Sequence, residues 1–200
     1  MRSLLVLMLS LALSGCFTTG KRGGETALTI YDFGPLPASK LTAPRQPPLA
    51  LEVRAPLWFD TMGIGYRLAY IDAARLREYA KARWAGPPAQ LVQQRLLQQL
   101  GYTQAGQAQS RCLLRLEIAE FSQVFAGRDE SRGVLTGRAL LFDRKRQLLA
   151  ELPLRLHQAA PTPDARGAVA AMTTTVERLA DVLLRWEQQQ VSGPAAACFA

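Results

Sequence analysis

Apolar side chains at Val169, Met172, Val176, Leu179, Leu183 and Trp186 recur at alternating steps of three and four, which gathers them into one stripe along a helix. The spacing predicts a helix of about 25 residues starting from Asp164. Its stripe serves either as core packed on a sheet or as a seam between copies of the protein. A second helix opens at Pro87 and Pro88, where a first-turn proline loses no amide partner. Val92, Leu96 and Leu100 then repeat at i, i+4 and i+8 with Leu97 alongside, until Gly101 stops the helix. Elsewhere the period is two. Along 112–125, Leu114, Leu116 and Ile118 face one way while Arg115 and Glu117 face the other. Further strands are predicted at 26–33, 49–54, 64–70, 134–142 and 148–157, with 76–79 readable as a short strand or a helical turn. Gly34-Pro35 and Pro56 act as breakers, and the four prolines within 36–48 make that stretch a loop. Asp143-Arg144-Lys145-Arg146 is a polar turn. Two helices among six or seven strands point to an α/β fold with a single mixed sheet flanked by helices, α+β being the alternative.

The N-terminus has a different logic. Met1-Arg2-Ser3, an apolar run from Leu4 to Leu13 and then Leu13-Ser14-Gly15-Cys16 describe a secretory signal, too short to span a bilayer as a retained helix. Leu-Ser-Gly-Cys resembles the bacterial lipobox, in which Cys16 would carry a thioether-linked diacylglycerol and, after cleavage, an amide-linked acyl chain. Burying acyl chains yields roughly 0.8 kcal/mol per CH₂, so several chains hold durably where one holds marginally. The competing reading is a soluble secreted protein in which Cys16 is incidental. Phe17 stands where an Asp would retain such a lipoprotein in the inner membrane, so the sorting rule favours the outer membrane, facing the periplasm. The expected organisation is a signal peptide at 1–15, the lipidated Cys16 with a glycine-rich tether to residue 25, one domain at 26–190, and a tail at 191–200.

Composition narrows the partners. Of 24 Lys and Arg, only Arg2 lies in the removed segment, leaving 23 against 16 acids and a mature charge of +7. Such an excess concentrates anionic partners such as lipid head groups or acidic protein surfaces, although scattered charges also make ordinary solvated surface. The compartment excludes nucleic acid. With Cys16 acylated, Cys112 and Cys198 remain; an oxidising periplasm lets them pair, and the rival is two free thiols, one buried and one exposed.

The chain is poor in catalytic chemistry. His157 is the sole histidine, so no multi-histidine metal site can be built, and a nucleophilic triad would have to use that one residue in a predicted strand. No cofactor is implied. Gly15 to Lys21 reads as the first seven positions of a phosphate-binding loop, yet Arg22 replaces the hydroxyl residue, no strand precedes it and cleavage falls inside it. Within nineteen positions, however, come Tyr66, Arg67, Tyr70, Arg75, Arg77, Tyr79, Lys81, Arg83 and Trp84. Tyr, Trp and Arg are enriched at protein contacts. Tyr66, Arg67, Tyr70, Tyr79 and Trp84 are therefore candidate partner-contact residues, the alternative being that they fill a sheet face and cap a helix.

Several short motifs add to this. Tyr31-Asp32-Phe33-Gly34-Pro35, Trp58-Phe59-Asp60, Ile64-x-Tyr66-Arg67, Tyr79, Trp84-x-x-Pro87-Pro88-x-x-Leu91 and Glu117-x-x-x-Phe121-x-Gln123-x-Phe125, in this order behind a lipobox, resemble the PqiC-like family of ABC-type transport auxiliary lipoproteins. The resemblance implies a non-catalytic lipoprotein of an MCE-type lipid transport system. It would dock the periplasm-spanning MCE-domain protein, served by inner-membrane transport components, at the outer membrane. The aromatic and basic segment and the C-terminal stripe add the expectation of contacts with copies of itself, a homo-oligomer. The resemblance also implies a fold similar to an anticodon-binding-like α/β sandwich. Phe33 stands where leucine is common in the family. A plug or chaperone lipoprotein of an outer-membrane assembly machine is the alternative function, and an envelope hydrolase relying on His157 is a third.

Overall fold

Two long antiparallel strands organise the computed structural model, which describes residues 27–106 and 110–199. In chain order the elements are β1 (Thr29–Tyr31), β2 (Leu49–Arg54), β3 (Gly63–Leu68), a single turn of helix α1 (Ala69–Asp72), β4 (Leu76–Trp84), α2 (Pro88–Leu100) and β5 (Thr103–Gln104). They continue with β6 (Cys112–Phe125), β7 (Ser131–Asp143), β8 (Leu148–Ala159), α3 (Ala165–Gln190) and a terminal 3₁₀ turn, Ala196–Cys198. The fold is α/β: one mixed sheet of eight strands flanked by helices.

β6 is long enough to serve two neighbours on one side. β2 runs parallel to its first half, with Leu49 opposite Cys112 and Arg54 opposite Glu117. β3 runs parallel to its far end, with Tyr66 opposite Gln123. Between them the chain at 55–62 leaves the sheet and returns. On the other side β7 pairs antiparallel along the whole length and β8 closes that edge. A bulge in β6 between Ile118 and Glu120 resets the alternation, so Ile118 and Phe121 both face the core. Gly137 of β7 lies against this bulge, and a side chain there would run into the Glu117 carbonyl.

The helices share one face of the sheet. α3 packs on β6, β7 and β8, α2 packs on β2, and the two helices touch each other. Met172, Val176, Leu179, Leu183 and Trp186 lie in the core with Leu114, Leu116, Leu135 and Leu141, so the helical stripe packs on the sheet and does not form a seam between copies. Asp164 caps α3, its side chain accepting the Gly167 amide at 2.7 Å. Gly101 ends α2 in the left-handed conformation, φ 59°.

Several boundaries differ from expectation: the strands predicted at 134–142 and 148–157 run longer, over Ser131–Asp143 and Leu148–Ala159. The strand predicted at 26–33 narrows to β1, because the Asp32 carboxylate accepts the Gly34 amide at 2.7 Å and turns the chain. The strand predicted at 64–70 ends at Leu68, where α1 begins. Residues 76–79 belong to a nine-residue strand, β4, and the two-residue β5 carries too little pattern to be seen in sequence.

Candidate functional site

Cys16 and the signal segment lie outside the described residues. The five candidate contact residues lie within them, and strand alternation distributes them over different surfaces. Trp84 is 1 % exposed, edge-on to Phe33 at 5.4 Å and beside Phe121, so it is a core residue with no surface to offer a partner. Phe33, from the Tyr-Asp-Phe-Gly-Pro motif, owes its place to Arg95, which donates to the Pro35 carbonyl at 2.8 Å and to the Phe33 carbonyl. That motif builds a corner of the core.

Tyr66 and Tyr79 stack at 4.7 Å, half-buried, with Phe125 at 6.0 Å from Tyr66. The Tyr79 hydroxyl donates to Gln123 Oε1 at 2.5 Å, and Gln123 Nε2 donates to Ser131 Oγ at 2.8 Å. Burial, and secondarily the neighbouring Tyr66 and Asp164, push the Tyr79 hydroxyl well above the ordinary tyrosine value, so it remains a proton donor. Arg67 points to the opposite face. It grips Glu120 with two hydrogen bonds, Nε to Oε1 at 2.9 Å and Nη2 to Oε2 at 3.1 Å, and Nη1 donates to the Ala74 carbonyl at 3.0 Å. Its guanidinium also lies 5.8 Å from the Phe59 ring centroid. Arg67 thus joins β3, β6, the chain at 55–62 and the turn after α1. Of the five, Tyr70 on α1 is the one left exposed, next to the exposed Ile71.

The face of the sheet away from the helices is a charged lattice. Glu52 holds Arg115 at 2.8 Å and Arg54 at 2.7 Å, while Arg138 holds Glu117 at 2.7 Å and reaches Glu151 at 3.8 Å. The two arginines beside Glu52 keep its carboxyl below the usual carboxylate value despite partial burial, which works to raise it. At the β6 bulge this lattice opens into a groove of about 880 Å³. It is lined by Pro56, Ala119, Gly137 and Pro153, by the strands at Ile118 and Leu154, whose side chains belong to the core, and by the charged Arg54, Glu117, Arg138 and Arg155. No sequence signal marks the groove, because it depends on a bulge and on where two distant prolines fall.

Two further features sit at the other end of the sheet. Cys112 and Cys198 are bonded, with Cα atoms 5.5 Å apart, which brings residues 191–199 onto the domain and buries Ala195. Beneath lies a buried polar trio: Tyr102 donates its hydroxyl to Glu187 Oε1, Arg45 Nη1 pairs with Glu187 Oε2 at 2.9 Å, and the Arg45 guanidinium lies 4.6 Å from the Tyr102 ring centroid. His157 is exposed on β8, and its backbone carbonyl accepts from Arg178 at 2.9 Å. Among the described residues no helix is long and apolar enough to cross a membrane, and no three His, Cys, Asp or Glu side chains gather as metal ligands would.

Comparison with known proteins places this architecture. No curated protein matches the sequence. A solved structure of a Xanthomonas campestris protein of the DUF330 family superposes with a TM-score of 0.68 at 19 % identity, covering 81 % of this chain and 98 % of that one. A second, described as an uncharacterized protein, superposes at 0.61 with 18 % identity, covering 80 % and 97 %. These likenesses concern the fold alone. The family model described as ABC-type transport auxiliary lipoprotein component matches residues 31–183, from the Tyr-Asp-Phe-Gly-Pro corner to the buried stripe of α3, and the chain belongs to that family.

Proposed function

We propose that this chain is the outer-membrane lipoprotein subunit of an MCE-type lipid transport system, a non-catalytic adaptor that docks the periplasm-spanning MCE protein at the outer membrane. The observation that carries the reading is the auxiliary-lipoprotein family match over residues 31–183, standing behind the Leu-Ser-Gly-Cys lipobox at Cys16. The arrangement of the domain supports an adaptor role. Many of its polar side chains form ion pairs and hydrogen bonds that fix strands to one another, as Arg67 and Glu120 do, and α1 and the turn at 56–60 are among the places where apolar residues are exposed. Tyr70 and Ile71 on α1 offer the protein-facing contact, with copies of the chain and the MCE protein as the partners.

The test is co-purification from membranes. Wild-type protein carries the MCE protein with it, and Tyr70→Ser/Ile71→Ser weakens that capture without changing the melting temperature. Recovery of no MCE protein, together with unaltered envelope lipid balance and detergent resistance on deletion, overturns the reading. Cys16→Ser moves the protein from the membrane to the soluble fraction; tight membrane association of that variant refutes acylation as the anchor.

A further inference from the structure

The turn at residues 56–60 is closed onto a single acceptor. The amides of Phe59 and Asp60 both donate to the Pro56 carbonyl, at 2.8 and 3.0 Å. Phe59 points inward, 5 % exposed beneath the Arg67 guanidinium, and pins the turn to the sheet. Leu57 and Trp58, at the apex, are left 85 % and 65 % exposed, more than any other large apolar side chain among the described residues. A pinned turn cannot fold them away, so the sheet holds a leucine and a tryptophan out into the surroundings.

The ground beside this apex carries three arginines along with the Glu117 carboxylate. Pro56, at the base of the turn, also lines the groove, as do Arg54, Arg138 and Arg155. Arg54 and Arg138 share their charge with Glu52 and Glu117, whereas Arg155 is exposed and forms no ion pair among the described residues. An apolar apex with an indole N–H and flanking guanidinium groups suits a phospholipid surface. The apolar bodies enter the acyl boundary, while the polar heads stay level with phosphates.

The chain beyond the described residues keeps such a surface near. Residues 17–26 join Cys16 to Ala27, and ten residues reach about 33 Å when extended. A mature charge of +7 adds a general attraction to anionic head groups. We propose that Leu57 and Trp58 form a wedge inserting into a phospholipid surface, with Arg54, Arg138 and Arg155 at its phosphates. The anchored domain then has a second contact and a fixed orientation, with the open face of the sheet toward the bilayer. The inference rests on the lipid-anchored placement in the proposed function and not on the identity of the protein partner.

The test uses the mature chain carrying Cys16→Ser, which lacks acyl groups, with vesicles of phosphatidylethanolamine and phosphatidylglycerol. Trp58 is the exposed indole, Trp84 and Trp186 being 1 % and 5 % exposed, so subtracting the emission of a Trp58→Phe variant isolates it. Its emission shifts to the blue on adding vesicles and is quenched by brominated acyl chains. Leu57→Ser/Trp58→Ser lowers the bound fraction at sedimentation at least about tenfold, with unchanged thermal unfolding, and Arg155→Glu weakens binding to anionic vesicles more than to neutral ones. Absence of the shift and quenching overturns the wedge, as does binding indifferent to the double substitution. A blue shift that appears without vesicles and grows with protein concentration also overturns it, in favour of a second copy covering the apex. If the acyl-free chain ignores vesicles while wild type stays in the membrane fraction, the wedge falls and the anchor stands; a soluble wild type removes the anchor itself.

Discussion

Glu187 is a carboxylate in the core, one residue beyond the stripe that ends at Trp186. Burial pushes its carboxyl above the ordinary 4.5, against the pull of Arg45 and of the Tyr102 hydroxyl. A folded-state value above the unfolded one means that the folded protein holds the proton more tightly. That contribution is complete below the unfolded value and is lost as pH rises through the folded one. Glu187→Gln, which cannot titrate, therefore flattens the dependence of stability on pH in the region just above 4.5, read from urea unfolding at a series of pH values; parallel curves for the two proteins would refute it. Tyr102 responds in the same direction, burial and then the Glu187 charge raising its hydroxyl far above the tyrosine range, so it stays a donor throughout. Trp186 itself was readable from the three-four period. Trp186→Ala costs about 3–5 kcal/mol in urea unfolding, since a side chain 5 % exposed leaves a cavity that its neighbours fill only in part. The polar trio was not readable, because Arg45, Tyr102 and Glu187 come from a proline-rich loop, the approach to a short strand and the end of a helix, and each alone looks like solvated surface.

Among elements, length decided what the sequence disclosed. β6, α2 and α3 repeat their period often enough to be unmistakable, while β1 and β5, at three and two residues, owe their existence to neighbours in the sheet. The division of one β6 edge between β2 and β3 is a matter of register, which no local pattern encodes. The same cause scatters the aromatic and basic cluster: one strand presents Tyr66 to the helices and Arg67 to the open face, and the next returns Trp84 to the core. Helix starts are local, and Asp164 makes a sharp prediction. Asp164→Ala costs about 1 kcal/mol through the lost cap, and Asp164→Asn costs less, because the amide oxygen still accepts the Gly167 proton. The Gly167 amide and the Thr162 hydroxyl hold the Asp164 carboxyl below its usual 3.8, so its contribution is present above that value and is lost as pH falls through the folded one. Acid titration of unfolding shows this loss in wild type, and Asp164→Asn lacks it; an identical acid limb in both would refute the assignment.

At the scale of the whole molecule, the question is what holds the end of the sheet where α2 and α3 finish. Lys40 reaches Asp181 at 2.6 Å and Arg45 reaches the Leu100 carbonyl at 3.1 Å, so the proline-rich loop is stitched to both helices there. Exposed or half-exposed ion pairs contribute little on their own. The link between Cys112 and Cys198 differs in kind, because it closes a sequence separation of 86 residues and so acts mainly on the unfolded chain. The sequence left this pairing open, since sulfurs in a strand and a tail become partners only when the fold brings their backbones close, here to a Cα separation of 5.5 Å. Reduction should lower the stability of the domain by about 2–4 kcal/mol. Cys198→Ser should lower it by the same amount and then show no further response to reductant. In the mature protein, thiol alkylation under denaturing, non-reducing conditions should label neither Cys112 nor Cys198. Melting that ignores reductant in wild type, with two alkylated thiols, would mean that the terminal segment is held by the packing of Ala195 and Phe199 alone. In that case residues 191–199 should be trimmed by protease ahead of global unfolding, whereas a covalently tied segment is cut only as fast as the whole sheet opens.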